Sequence, residues 1–137
     1  MDTEPTDTDL APLAMRVRLA GPRDAQVIAD LLGSTDDLFA RPELAVLVAQ
    51  GDEGVLGVAV LRARPPARAT ELDRLVVRAE VRGRRVGRRL LAAAVEWSRQ
   101  RRALQLEVPV LAADADARRF LKGFGFAATS DRLVLAA

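Results

Sequence analysis

Apolar and polar positions first fall into order at residue 15. Met15, Val17 and Leu19 alternate with Arg16 and Arg18, the two-residue period of a strand. Gly21-Pro22 stops it. From residue 23 to 33 the period lengthens: Ala25, Ile28, Ala29 and Leu32 share one helical face, and Gly33-Ser34 closes the helix. Residues 34–43 are polar and contain Pro42, leaving room for one short helical turn. Two apolar runs, 44–50 and 55–64, flank Gly51-Asp52-Glu53-Gly54, which predicts a hairpin with a four-residue loop. Pro65-Pro66 ends the second run, and residues 70–78 form another strand. Uniform alternation puts Leu72, Arg74 and Val76 on one face of it and Glu71, Asp73, Leu75 and Val77 on the other. A helix to about Arg102 follows, with Val86, Leu90, Ala94 and Trp97 as its apolar stripe, joined by Leu91 and Val95. Residues 104–110 read as a strand ending near Pro109. A short helix over 114–123 turns Ala117, Phe120 and Leu121 inward, and strands at about 126–129 and 132–136 complete the chain. The order β-α-β-β-β-α-β-α-β-β predicts an α/β (α+β) fold, a mixed sheet covered by helices.

Residues 1–14 contain Asp2, Glu4, Asp7 and Asp9, no basic residue and no period, and read as a flexible acidic tail. That leaves residues 15–137 as a single domain. Half the chain is hydrophobic but only 4% is aromatic, so the core is aliphatic. The absence of Cys and His excludes disulfides, thiolate zinc sites and His-based catalysis, and no metal is expected. No apolar stretch reaches the roughly 18 residues of a membrane span, so a cytoplasmic protein without a membrane partner is expected. A sequence pI near 10.3 coexists with a net charge of only +2, because all but one of the basic residues are Arg. Basic charge gathers in residues 82–102, where Glu96 is the sole acid. Nucleic-acid binding through that helix is the reading such a stripe first invites. The low net charge and scarce aromatics count against it.

The segment Arg82-Gly83-Arg84-Arg85-Val86-Gly87-Arg88 lies between a strand and a strongly periodic helix. Gly83 and Gly87 let the backbone turn tightly and approach a ligand closely. The unpaired N–H groups of a helix start and the positive end of its dipole favour an anion. Arg82, Arg84, Arg85, Arg88 and Arg89 add charge suited to phosphate. The glycine spacing matches neither a Walker loop nor a dinucleotide fingerprint. On its own the segment also fits a plain turn ahead of a solvated basic helix.

With these flanks the chain resembles the GNAT superfamily of acyl-CoA-dependent N-acetyltransferases over roughly residues 15–136. The family signature is Arg or Gln, two residues, Gly, one residue, then Gly or Ala, between the fourth strand and the next helix. Arg82 fills its first position and Gly87 its last, while Arg85 replaces the middle Gly. Downstream, Asp114, Ala117, Phe120-Leu121 and Gly125-Phe126 resemble the family's Asn, Ala, Phe-Tyr and Gly-Phe series.

The resemblance implies a V-splayed sheet of about six to seven strands with helices on both faces, and acetyl-CoA as co-substrate. It implies that the backbone of Leu75, Val76 and Val77 pairs with the pantetheine arm. The N–H groups of Gly83, Arg84, Arg85, Val86, Gly87 and Arg88, beside Arg82, would receive the pyrophosphate, and Asp114 joins the cofactor set. A positive φ at Arg85 would be unfavourable by about 1 kcal/mol, so a helical conformation, where an arginine fits without strain, is the expectation. The acceptor would be a primary amine of a small molecule or peptide, and the family admits a homodimer. Glu71 resembles the strand-four glutamate that some members use as base, and Asp73 is the second carboxylate on its expected face. Ion pairing of both with Arg16, Arg18 or Arg62 is the alternative for these two. Leu121 stands where many relatives carry the Tyr that protonates the leaving sulfur, and the chain has no Tyr. An acyl-CoA-binding or regulatory module with a degenerate catalytic site is therefore the competing reading. Residues 33–44 are too few for a full second helix, which must be reduced or missing, so the acceptor side should be open or completed by a partner subunit.

Overall fold

The computed structural model describes residues 13–34 and 37–137. All but the last two residues of the expected acidic tail lie outside them. The elements are β1 (Met15–Leu19), α1 (Ala25–Leu32), β2 (Leu44–Gly51), β3 (Gly54–Ala63), β4 (Ala69–Val77), α2 (Val86–Gln100), β5 (Gln105–Pro109), α3 (Ala115–Phe124), β6 (Ala127–Ala128) and β7 (Arg132–Ala136). The expected order holds throughout. The β2–β3 hairpin is tighter than its four-residue expectation. Gly51 pairs with Gly54, and only Asp52 and Glu53 lie between them. The reduced second helix is a single 3-10 turn, Leu38–Ala40.

The seven strands form one sheet in the order β1-β2-β3-β4-β5-β7-β6. All pairs are antiparallel except β4 with β5. That parallel pairing covers only Ala69–Glu71 against Gln105–Glu107, whereas β4 continues beside β3 to Val77. The two strands therefore part beyond Glu71, and this is the expected V.

Each face of the sheet buries its own aliphatic cluster. Helices α2 and α3 cover one face, where Leu61, Leu72, Leu90, Leu91, Leu106 and Leu133 form the centre of the larger core. Helix α1 covers the other, with Ile28 and Leu32 packed against Val46, Val48, Val58 and Val60. The buried stripe of α2 runs Val86, Leu90, Ala94 and then Ser98, with Trp97 only half-buried beside it. Strict four-residue spacing selects Ser98, and its Oγ has no hydrogen-bond partner among the described residues.

Buried Asp24 fastens α1 to β1. Arg18 grips its carboxylate with two hydrogen bonds of 2.9 Å, and the Gly21 N–H adds a third at 2.8 Å. Chiefly through the Arg18 bonds, its pKa is pulled down to about 2.

One irregularity reorganises β4. Val60 pairs with Arg74, but the next residue, Leu61, pairs with Leu72. Asp73 is thus an extra residue, a β-bulge. Uniform alternation across residues 70–78 is overturned here. Leu72 joins Leu75 and Val77 in the larger core, while Val76 packs with the α1-side cluster. Arg74 also turns to the α1 side and donates to the Leu32 carbonyl at 3.0 Å. Glu71, opposite Arg62 in the register, lies on that side too and not with Leu75 and Val77.

Candidate functional site

Beyond the fork of β4 and β5, a cavity of about 580 Å³ opens between the end of β4, the start of α2 and one side of α3. Leu75, Val76 and Val77 form its strand wall. Arg82, Gly83, Arg85, Val86, Gly87 and Arg88 form its turn wall. Val81, Ala117 and Phe120 complete it. Nine of the expected cofactor residues thus meet around one space. Arg84 and Asp114 do not line it. Asp114 caps α3 instead, accepting from Ala117 N–H at 2.8 Å, the ordinary role of an Asp at a helix start.

The turn gets its shape from two left-handed residues, Gly83 at φ 80° and Arg85 at φ 71°. Arg85 is the N-cap of α2, with ψ 14°. The helical conformation expected for it is overturned: an L-residue sits where its Cβ crowds the backbone. Left-handed residues spaced through a turn bring N–H groups onto one concave side, the geometry of an anion nest. Arg84 N–H is already engaged with Val81 O at 3.2 Å. The α-helical ladder runs from Arg89 N to Arg85 O at 3.0 Å, so Val86, Gly87 and Arg88 carry N–H groups that the helix itself does not pair. Gly87 has a second reason to lack a side chain. A Cβ there would come within 3.0 Å of Phe120 Cζ. The Phe120 ring closes over the turn from α3, and Arg88 reaches over the neighbouring Phe124 ring, 5.6 Å from its centroid.

The carboxylates expected to act as bases lie at the fork, on the α1 side, inside an ion-pair lattice. Glu71 and Glu107 are register partners across β4 and β5. Arg64 Nη1 is 3.1 Å from Glu71 Oε1 and 3.6 Å from Glu107 Oε1. Arg132 Nη1, from β7, is 3.2 Å and 3.4 Å from the same two oxygens. Glu107 also accepts from Gln105 through Oε2. Asp73 is gripped by Arg62 through both oxygens, at 3.4 and 2.7 Å. Of the pairings weighed from sequence, Arg62 with Asp73 is present. The partners of Glu71 are Arg64 and Arg132 rather than Arg16 or Arg18. These contacts separate the two candidates. Asp73 has both oxygens committed, whereas the contacts of Glu71 all run to Oε1.

Leu121 is buried in the larger core at 4% exposure. A second cavity of about 580 Å³ lies between the exposed edge of α1 and the Leu38–Ala40 turn. No group of residues able to hold a metal ion occurs among the described residues. No helix there is long and apolar enough to cross a membrane.

Residues 17–126 match the model of the acetyltransferase (GNAT) family. No curated protein matches the chain. Solved structures resemble it closely in fold. Nourseothricin acetyltransferase is 23% identical with a TM-score of 0.71, over 90% of this chain and 97% of that one. The PaiA N-acetyltransferase of Thermoplasma acidophilum, solved in complex with coenzyme A, is 16% identical with a TM-score of 0.70, over 89% and 98%. The ribosomal-protein-S18-alanine N-acetyltransferase of Escherichia coli is 14% identical with a TM-score of 0.73, over 90% and 92%.

Proposed function

Because the chain belongs to the GNAT family of acetyltransferases, we propose that it transfers an acetyl group from acetyl-CoA to a primary amine by direct attack within a ternary complex. The observation that carries this reading is the cavity at the fork, walled by Leu75–Val77 on one side and by the left-handed turn at Gly83 and Arg85 on the other. A fold neighbour solved with coenzyme A supports the choice of cofactor.

The residues fit such a ligand. The β4 edge beyond Glu71 lacks a strand partner on the β5 side, so its main chain can pair with an extended arm. The N–H groups of residues 83 and 85–88, with Arg82 and Arg88 alongside, receive the pyrophosphate. Bound there, acetyl-CoA supplies an acetyl group activated as a thioester. The bulge at Asp73 interrupts the β3–β4 ladder beside the start of the cavity. A main-chain N–H released there is the candidate donor to the charge that develops on the carbonyl oxygen. Glu71 is the candidate base. Arg64 and Arg132 hold it through Oε1, which leaves Oε2 to accept a proton from the amine. Glu107 then acts on Glu71 only through the two shared arginines, as a positioning residue.

The buried Leu121 and the absence of Tyr favour departure of the sulfur as thiolate, protonated by water. The same observation is what keeps the binding-module reading alive. Calorimetric titration with acetyl-CoA, combined with thiol release across a panel of amines, tests both. We expect saturable binding and turnover on some amines. Glu71→Gln should lower kcat/KM by about 10²-fold or more while leaving acetyl-CoA affinity within a few-fold. Tight binding without turnover on any amine would replace the transferase by the module.

A further inference from the structure

Two arginines of this protein grip a carboxylate by both of its oxygens. Arg18 meets both oxygens of Asp24 with two nitrogens, and Arg62 meets both oxygens of Asp73 with Nε and Nη2. Those are saturated forks, the geometry of a structural pair. At the fork of the sheet the pattern differs. In each of the four ion pairs the nearest atoms are the Nη1 of Arg64 or Arg132 and the Oε1 of Glu71 or Glu107. Among the described residues the Arg–Glu hydrogen bonds of the quartet also run from Nη1 to Glu71 Oε1, and neither Nη2 edge nor Oε2 of Glu71 takes part in them.

These groups are partly sheltered yet reachable. Side-chain exposure is 18% for Glu71 and 27% for Arg132. The α1-side apolar cluster reaches β4 only at Val76 and contains no residue of β5 or β7. The quartet therefore lies uncovered by that cluster on the α1 face of the fork, the face that the transferase reading assigns to the acceptor. The four charges of the quartet sum to zero, so it offers a cation no net attraction.

We infer that the acceptor is an amino carboxylate, a molecule carrying its amine and a carboxylate a few atoms apart, whose carboxylate is read by the free guanidinium edge of Arg132, with Arg64 beside it. This rests on the transferase reading and specifies its substrate class. Glu71 Oε1 and Arg132 Nη1 are 3.2 Å apart, so the unused oxygen of one and the unused edge of the other lie side by side. An ammonium on Glu71 Oε2 and a carboxylate on the guanidinium edge are then separated by the short span found within one amino acid. Such a ligand adds one charge of each sign, and every group in the lattice stays paired. A simple amine lacks the second contact, and a dicarboxylate lacks the first.

The test uses the intact wild-type protein with saturating acetyl-CoA, reading thiol release on matched probes: L-amino acids, their amides, and the corresponding decarboxylated amines. The expected result is a kcat/KM at least tenfold higher for the carboxylated member of a pair, carried by KM. Arg132→Gln should collapse that ratio toward one by raising KM for amino acids, and Arg132→Lys should restore part of it. Amides or decarboxylated amines turned over as well as the amino acids would overturn this inference and leave the transferase reading standing. A carboxylate preference unchanged in both Arg132→Gln and Arg64→Gln would also overturn it. Failure of every amine, with acetyl-CoA still bound, would remove both.

Discussion

Replacing Arg85 by glycine or by alanine separates the backbone of the turn from its charge. At φ 71° and ψ 14° an L-residue is in left-handed conformation, which costs about 1–2 kcal/mol relative to Gly in the same place. Glycine removes that strain but widens the unfolded ensemble, offsetting roughly 0.5–1 kcal/mol. Arg85→Gly should then be more stable than Arg85→Ala by about 0.5–1 kcal/mol, a Tm difference of a few degrees for a chain of this size. Both variants lose the same guanidinium, so charge cannot account for the difference. Thermal unfolding at one pH and salt concentration reads it directly. Titration with acetyl-CoA gives the second half of the result. If N–H groups are the main grip, each variant should bind about fivefold more weakly, the equivalent of roughly 1 kcal/mol, and with a shallower salt dependence. A Tm for Arg85→Ala equal to or above that of Arg85→Gly would refute the strain. A loss of affinity beyond a hundredfold in both variants would refute the backbone grip and assign it to the side chain.

Other expectations follow from single contacts. Gly87→Ala brings a Cβ to 3.0 Å from Phe120 Cζ, so acetyl-CoA affinity should fall about tenfold, and Phe120→Leu in the same chain should recover part of it in the same titration. Asp24 titrates near 2 in the folded protein against an ordinary value of 3.8. Its contribution, roughly 2 kcal/mol, is therefore full above the ordinary value and disappears as pH falls from there through 2. Denaturant unfolding of Asp24→Asn and wild type should differ by about that amount at pH 7 and converge near pH 2. Ser98 is fully buried and its Oγ has no partner among the described residues. Ser98→Ala should raise stability by about 1 kcal/mol, measured as a higher denaturant midpoint.

Much of this molecule is legible in its sequence because two simple periods generate it. Alternation marks β1 and the hairpin, and four-residue spacing marks α2. The same rules contained signals that uniform alternation overrides. Between Leu72 and Leu75 stand two consecutive polar residues, Asp73 and Arg74. A gap of three between inward leucines is what a bulge requires, and it was there to be read. Continuing Val86, Leu90 and Ala94 by four likewise arrives at Ser98, against the pull of the larger Trp97. The turn at Arg85 is a different case. The family places glycine there, and that preference is itself a trace of left-handed backbone, which the arginine adopts all the same. The ion-pair quartet could not be read at all. Arg64, Glu107 and Arg132 come from separate stretches of chain, and only the sheet order β4-β5-β7 brings them to Glu71.

The extra residue at Asp73 acts on β4 as a reading frame acts on a message. Upstream of it, odd-numbered Glu71 faces α1; downstream, odd-numbered Leu75 and Val77 face α2. Removing one residue here would not trim a loop. It would reverse every earlier side chain of the strand, driving Glu71 into the aliphatic core and Leu72 into the charged cluster. Substitutions in β4 can therefore accumulate one at a time, but its length cannot drift. A relative whose strand is one residue shorter must rebuild this charged cluster from different positions, even where the glycine-arginine turn remains the same.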